Sequence, residues 1–269
     1  MKRRNFLTGC AAGAVAAFEP SLFAACARAL TGRRTLVIGG SAFALGYAHR
    51  HSGQALILER GVHLAPEFSL MGETDVAGVP STEYGRELTA ALSKVGLLEG
   101  TRLELPPLSD FICDHFAQLG IKAFMNAEAV DLVRKGGKWQ ATIIGGGGEG
   151  LFRMDFDAVL DTTDLGWKEF GQCDVIGKRF SAVTTAGRFT VDLPADSTWR
   201  DARLALYEKF EADPLARTGH ILAEAGAIRC CYRPGRIEKS ITEGFCWIPS
   251  GQFGHLVTAY EEGMKWSFR

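Results

Sequence analysis

The chain has 269 residues, 46% of them hydrophobic and 23% charged, with a formal net charge of -1. This is ordinary globular composition, sufficient for one large core or two smaller domains. The charge balance gives no basic surface for nucleic acid and no acidic tail, and the 32 glycines sit in turns and one short cluster rather than in a repeat.

The first residues read as a targeting segment. Lys2-Arg3-Arg4-Asn5-Phe6-Leu7 sets paired arginines before Phe-Leu. The Ala- and Gly-rich run Thr8 to Phe18 comes next, and Pro20 leads to Ala24-Ala25-Cys26-Ala27. This pattern predicts a twin-arginine signal over residues 1–29, cleaved after Ala27 or Ala29, and a periplasmic or extracellular protein exported already folded. A general-secretory signal or a membrane anchor is the competing reading, although the apolar run is short for a bilayer span. Phe23-Ala24-Ala25-Cys26 also resembles a lipoprotein box, so lipidation at Cys26 is the alternative that puts the chain on a membrane.

Thr35 to Arg60 is the stretch around which the rest of the chain is organised. Leu36-Val37-Ile38 is a short apolar strand stopping at Gly39-Gly40. Ala42 to His51 reads as a helix, Ser52-Gly53 breaks it, and Ala55-Leu56-Ile57-Leu58 is a second strand ending on Glu59. The stretch His63 to Pro80 reads as loop. A helix is predicted over 82–98, with Leu88, Ala91, Leu92 and Val95 on one face. Another begins after Pro106-Pro107, capped by Ser109 and stopped at Gly120.

Short strands are predicted at 121–124, 127–134, 138–144, 151–156 and 157–161, the middle three joined by glycine turns. From about Gly171 the pattern changes. Phe180 to Val191, Gly226 to Tyr232 and Ile241 to Ile248 read as β structure, with a helix over 198–212 and a helix start in the last fifteen residues. The boundary near Gly171 separates a first domain, 30–170, from a second region, 171–269.

Of seven cysteines, Cys10 and Cys26 lie in the signal segment. No Cys-x-x-Cys pair or Cys/His ligand spacing appears, so no metal site is predicted. Cys230-Cys231 reads either as a redox pair or as two half-buried thiols in a strand.

The strand-turn-helix-strand unit carries the chemistry. In a dinucleotide-binding turn, backbone N–H groups at a helix N-terminus meet a pyrophosphate, and the helix dipole favours the negative charge. Glycine is needed where the backbone turns tightly or phosphate approaches it. Here the fingerprint is Gly39-x-Ser41-x-x-Ala44. Gly39, Gly40, Ser41 and Ala42 are the predicted cradle, and Ser41 stands where a second glycine is usual. Glu59, twenty positions after Gly39, is placed to accept ribose hydroxyls. Arg60 offers a cation to phosphate or ribose, or makes a surface ion pair.

In three places the chain resembles the two-dinucleotide-binding-domain flavoproteins, and among them the glutathione-reductase-like FAD-dependent oxidoreductases. These are Leu36 to Glu59, the hairpin entry Asn126 to Val133, and Phe156 to Asp164. The resemblance implies that Val130 brackets the adenine through its backbone. It also implies that Thr162 lies beside the cofactor, since Thr162-Thr163-Asp164 stands where the family has Ala-Thr-Gly before the substrate domain. The expected fold is α/β, a Rossmann-like FAD-binding domain with a β-rich second region that meets substrate or a partner. The family also returns to its FAD domain near the C-terminus through a Gly-Asp motif. No such return is legible before Arg269, and Gly251-Gln252-Phe253-Gly254-His255 does not match it. The chain therefore reads as short at the C-terminus, or as completed by a second polypeptide.

The implied activity is FAD-dependent oxidation of a small molecule by hydride transfer to the flavin. A base near the flavin would be a His or a carboxylate. His63, Glu73, His220, Tyr232 and His255 are candidates, and none is assigned. Trp247 and Trp266 either stack on a ring or pack in a core. Two alternatives stand beside this reading. One is an incomplete flavin-domain subunit that binds a nucleotide or partner without catalysis; the other is an NAD(P)-dependent dehydrogenase. No Gly-x-Ser-x-Gly elbow, His-Glu-x-x-His or Gly-Lys-Ser/Thr loop supports a hydrolase, zinc protease or kinase.

Overall fold

The computed structural model describes residues 29–71, 75–104, 107–145, 151–167, 175–185, 187–224 and 227–268. Residues 1–28, which hold nearly all of the predicted signal segment with Cys10 and Cys26, lie outside the described residues, as do Glu73 and Cys173.

The first unit forms as the sequence predicts: β1 (Thr35–Ile38), α1 (Ala42–Arg50) and β2 (Ala55–Glu59). Ser41 starts α1 from an extended backbone, its hydroxyl oxygen accepting the Ala44 amide at 3.0 Å. The helix ends at His51, and Gly53, with φ +79°, turns the chain back into β2. The predicted loop after β2 contains a single helical turn, α2 (Pro66–Ser69).

Helix α3 (Glu83–Lys94) is capped by Thr82 and buries Leu88 and Leu92. It ends before Val95, which is 55% exposed rather than part of the apolar face. A small hairpin, β3 (Leu98–Glu99) with β4 (Arg102–Leu103), leads to α4 (Leu108–Gln118). Pro107 occupies the cap position of α4, and Ser109 instead hydrogen-bonds His63 Nδ1 at 2.7 Å. Next come β5 (Lys122–Met125), the antiparallel sheet of β6 (Ala127–Lys135), β7 (Lys138–Gly145) and β8 (Leu151–Phe156), and β9 (Ala158–Asp161).

The second region is a separate antiparallel sheet. Strand β10 (Val175–Thr184) pairs with β11 (Gly187–Leu193), β12 (Ile221–Glu224) and β13 (Arg229–Tyr232). Helix α5 (Trp199–Ala212) begins in a capping box of Thr198 and Asp201. Ala202, Leu206 and Phe210 of α5 pack with Phe180, Phe189 and Val191 in a core of their own.

The chain then goes back to the first sheet. Strands β14 (Lys239–Thr242) and β15 (Phe245–Trp247) complete a six-stranded order β14-β15-β9-β1-β2-β5, in which β15, β9, β1, β2 and β5 run parallel. Helix α6 (Leu256–Lys265) comes last and packs on α1. The fold thus contains a return to the first sheet that is not legible in the sequence. Ile241 to Ile248 reads as β structure, but its pairing partner, β9, is distant in the chain and no local pattern names it.

Each central strand is buried on both faces, so alternate residues serve two cores. Leu36, Ile38, Leu56, Leu58, Val159 and Phe245 pack with Trp139, Ala141 and Ile143 of the β6–β8 sheet. Val37, Ile57, Leu160 and Cys246 pack with α1, α3, α4 and α6. Helices α1 and α6 cross closely enough to require glycine. A Cβ on Gly46 would lie 1.9 Å from the Tyr260 carbonyl oxygen, and one on Gly263 would lie 2.0 Å from that of Phe43. Among the described residues, no helix is long and apolar enough to cross a membrane.

Candidate functional site

The site lies where β1, β2, β9 and β15 end, a position at which open parallel sheets bind ligands. Gly39 leaves β1 with φ +89°, and a Cβ there would stand 2.9 Å from the Thr162 hydroxyl oxygen. Thr162 Oγ1 donates into the turn itself, 3.1 Å from the Ile38 carbonyl oxygen and 3.0 Å from that of Gly39. It therefore fixes the turn. Gly40 donates its amide to Glu59 Oε2 at 2.7 Å, and Glu59 Oε1 accepts the Gly61 amide at 2.6 Å. Glu59 thus braces the turn from the end of β2, with both oxygens engaged by backbone.

The remaining predicted residues are spread around this turn. Arg60 is exposed. Val130 is also exposed and sits at a register jump in the β6–β7 ladder, between Ala129↔Ile143 and Asp131↔Thr142. The Asn126 amide donates to Gly61 at 2.9 Å, so the start of β6 is held beside the end of β2.

The group that dominates the site is Glu67, which sequence reasoning does not single out. Its Oε1 accepts the amide of Ala42, the first residue of α1, at 2.8 Å. That amide belongs to the predicted pyrophosphate cradle. Glu67 is 6% exposed, and its Oε2 has no hydrogen-bond partner among the described residues. Burial pushes its carboxyl up to about 8; the Ala42 amide opposes this, the Asp164 charge adds to it, and the Arg229 charge opposes it.

Local structure aims Glu67 at the turn. Ala65, a non-glycine residue with φ 48°, takes the left-handed conformation, and its amide donates to the Gly40 carbonyl at 2.6 Å. Pro66 then starts α2 and places Glu67 in its first turn. Leu64 seals the other side: a Cβ on Gly40 would lie 2.7 Å from Leu64 Cδ2.

Two more carboxyls come after β9. Asp161 is buried and accepts the Thr163 amide at 2.9 Å, the Thr163 hydroxyl at 2.6 Å and the Trp167 amide. Burial pushes it up to about 6, against those bonds. Asp164 accepts the Gly251 amide at 2.7 Å and the Ser250 hydroxyl at 3.2 Å, and burial raises its carboxyl as well. Trp247 donates its ring N–H to the Thr163 carbonyl at 2.7 Å, and the Tyr232 hydroxyl donates to the Asp164 carbonyl. Arg229 reaches in from β13, stacked over Phe68 at 5.5 Å and donating to the Phe253 carbonyl.

Of the candidate active groups, Tyr232 and Trp247 thus meet around Thr163 and Asp164. His63 is tied to α4 through Ser109. His220 is exposed beside β12, and His255 is exposed at the start of α6. Trp266 is buried against Phe43 and Tyr47. Cys230 and Cys231 lie side by side in β13, and burial pushes Cys230 up to about 12, away from thiolate chemistry.

The turn matches an FAD pyrophosphate in its backbone: a positive-φ glycine, a capped helix start and an acid at the end of β2. The segment over it engages the same backbone groups. Glu67 holds the Ala42 amide, Leu64 covers Gly40, and Asp164 is bonded directly to the loop after β15. In the conformation described, a pyrophosphate and Glu67 compete for one position.

No protein-family model matches the chain, and no curated protein matches it in sequence. Solved structures do resemble it. The glycerol-3-phosphate dehydrogenase from Bacillus halodurans, complexed with FAD, is similar at a TM-score of 0.59 and 13% identity, over 93% of this chain and 67% of that one. A geranylgeranyl bacteriochlorophyll reductase-like protein from Thermoplasma acidophilum gives 0.53 and 14%, over 87% and 77%. The glycine oxidase from Bacillus cereus gives 0.51 and 12%, over 87% and 93%. At these identities the likeness shows the fold: an α/β, Rossmann-like architecture of the kind found with FAD in the first of them, carrying a second, β-rich sheet.

Proposed function

We propose that the chain is an FAD-dependent oxidoreductase acting on a small molecule. The observation that carries this reading is the ligand turn between β1 and α1, set in the sheet order β15-β9-β1-β2-β5 with Glu59 bracing it. The likeness to flavoenzyme folds supports it. Bound flavin would supply the electron chemistry, accepting a hydride from the substrate. The chain's own contributions are positional: the N-terminus of α1 for the pyrophosphate, Glu59 for the ribose, and the start of β6 around Val130 for the adenine. Tyr232 and Arg229 bring the second sheet against the same end, where a substrate would be oriented. The paired arginines Arg3-Arg4 support export through the twin-arginine route, which carries folded, cofactor-loaded proteins.

One observation favours a second reading, a flavin-type domain that binds a partner or nucleotide without catalysis. The cradle is filled by Glu67, and the loops after β9 and β15 are bonded to each other through Asp164 and Gly251.

The absorption spectrum of the purified full chain, before and after FAD addition, separates the two. Flavin bands that stay with the protein through gel filtration support the oxidoreductase. A protein that remains colourless with excess FAD removes it, and colour only with a co-purifying chain favours the second reading. Export is checked by fractionation of cells carrying the paired substitution Arg3→Lys/Arg4→Lys, which should hold the protein in the cytoplasm.

A further inference from the structure

We infer that Glu67 is a built-in placeholder for the cofactor's pyrophosphate: its carboxyl occupies the anion position at the N-terminus of α1, and the Leu64–Ser69 segment must withdraw for a dinucleotide to enter. The inference rests on the FAD reading of the turn, and it adds a device that controls loading.

Three features set Glu67 apart from an ordinary helix cap. First, α1 already has its cap, because Ser41 satisfies the Ala44 amide. That cap leaves the Ala42 amide open, and the acceptor that takes it comes from twenty-five residues away rather than from the residues that start the helix. Second, the arrangement is costly. A buried carboxyl leaves one oxygen unpartnered, and Ala65 is held in a left-handed conformation that non-glycine residues seldom take. Costs of this kind persist where surrounding structure enforces them, and they cluster at functional sites. Third, the contact chosen is the amide at the start of the helix after the ligand turn, the position at which a phosphate oxygen is received in this fold.

The segment is held by packing, since Leu64, Ala65 and Phe68 lie in the core shared with α1, and by two hydrogen bonds to the turn. Within Leu64–Ser69, the bonds that reach the turn are Ala65 to Gly40 and Glu67 to Ala42. The Ser69 hydroxyl bonds within its own segment, to the Leu64 and Ala65 carbonyls. A diphosphate arriving at Ala42 therefore replaces one hydrogen bond from Glu67, and the freed carboxyl regains water. The groups facing Glu67 are Asp164 from the loop after β9, which opposes its ionisation, and Arg229 from β13, which favours it.

The test titrates FAD and, separately, inorganic pyrophosphate into the full chain and its Glu67→Ala, Glu67→Asp and Glu67→Gln variants. Folding of each is checked by circular dichroism. Alanine and the shorter aspartate do not reach Ala42, so both should bind FAD at least tenfold more tightly than the parent. Glutamine keeps an acceptor there and should stay within about threefold of it, about 0.7 kcal/mol. Equal FAD affinity in the parent and the Ala and Asp variants overturns the placeholder while leaving the flavoprotein intact. If no form binds FAD but the Ala and Asp variants gain tenfold for pyrophosphate, the placeholder stands and the FAD reading falls. No gain for either probe overturns the placeholder outright.

Discussion

Asp164 and Gly251 meet across the ends of two parallel strands: Asp164 Oδ1 accepts the Gly251 amide at 2.7 Å, and a Cβ on Gly251 would lie 2.9 Å from the same oxygen. The loop after β9 supplies Asp164, and the loop after β15 supplies Gly251. The two residues should be coupled energetically. Gly251→Ala should destabilise by about 1–3 kcal/mol through crowding. In an Asp164→Gly background that cost should shrink by at least about 0.5 kcal/mol. Urea unfolding of the two single variants and the double variant gives the coupling, and strictly additive values would mean the contact contributes nothing.

Gly46→Ala should be among the most damaging small changes in the protein. The added methyl would fall 1.9 Å from the backbone oxygen of Tyr260, so α1 and α6 would have to separate. We expect a loss of at least about 3 kcal/mol, or no soluble protein. Gly254→Ala, which meets nothing within 4 Å, is the control and should stay within about 0.5 kcal/mol. Thermal unfolding of both variants makes the comparison.

Glu67 makes stability depend on pH in an uncommon direction for an acid. Its carboxyl stands at about 8 in the folded chain against an ordinary value of 4.5. Between those values the folded chain keeps a proton that the unfolded chain has released. The stabilising contribution is therefore complete below the lower value and is lost as pH rises through the upper one. Glu67→Gln removes this titration, while Asp161, raised to about 6, remains in both proteins and cancels. The variant should gain on the parent by on the order of 3 kcal/mol between about pH 5 and pH 8. Urea midpoints of the two proteins, measured at matched pH, test this; a gap that does not change with pH removes the raised proton.

Glu59→Ala should act on both structure and binding. Two backbone amides, Gly40 and Gly61, lose their acceptor, which costs about 1–3 kcal/mol in stability. FAD should also bind more weakly, because the ribose loses its acid. If denaturation shows the stability loss while the FAD titration is unchanged, Glu59 is a brace for the turn and not a ribose ligand.

The first unit was legible because its physics is local. Leu36-Val37-Ile38, Gly39-Gly40 and Ala42 to His51 announce strand, turn and helix within a few residues, and the structure has all three; the capping role of Ser41 emerges only in the structure. What the sequence hid is non-local. Glu67 looks like one acid in a loop, and only the left-handed Ala65 and the packing of Leu64 on Gly40 bring it to α1. The clue available was a Pro66-Glu67 helix start shortly after the second strand, which alone names no target. The return was half legible: Ile241 to Ile248 reads as β structure, but no local pattern tells that Phe245–Trp247 pairs with β9 of the first sheet. Ser109, read as a helix cap, lost that role to its neighbour Pro107 and was taken up by His63 from another element.

The return of the chain through β15 and α6 also has a consequence in time. The apolar side of α1, with Phe43 and Tyr47, is made early in synthesis, and its cover is made near residue 260. Until Leu256–Lys265 has left the ribosome, that surface and the open side of β9 have no partner within the described chain. Contacts this distant in sequence form slowly and leave intermediates exposed. The protein's capacity to carry any ligand at the turn should therefore arise only once Leu256–Lys265 has emerged and packed on α1.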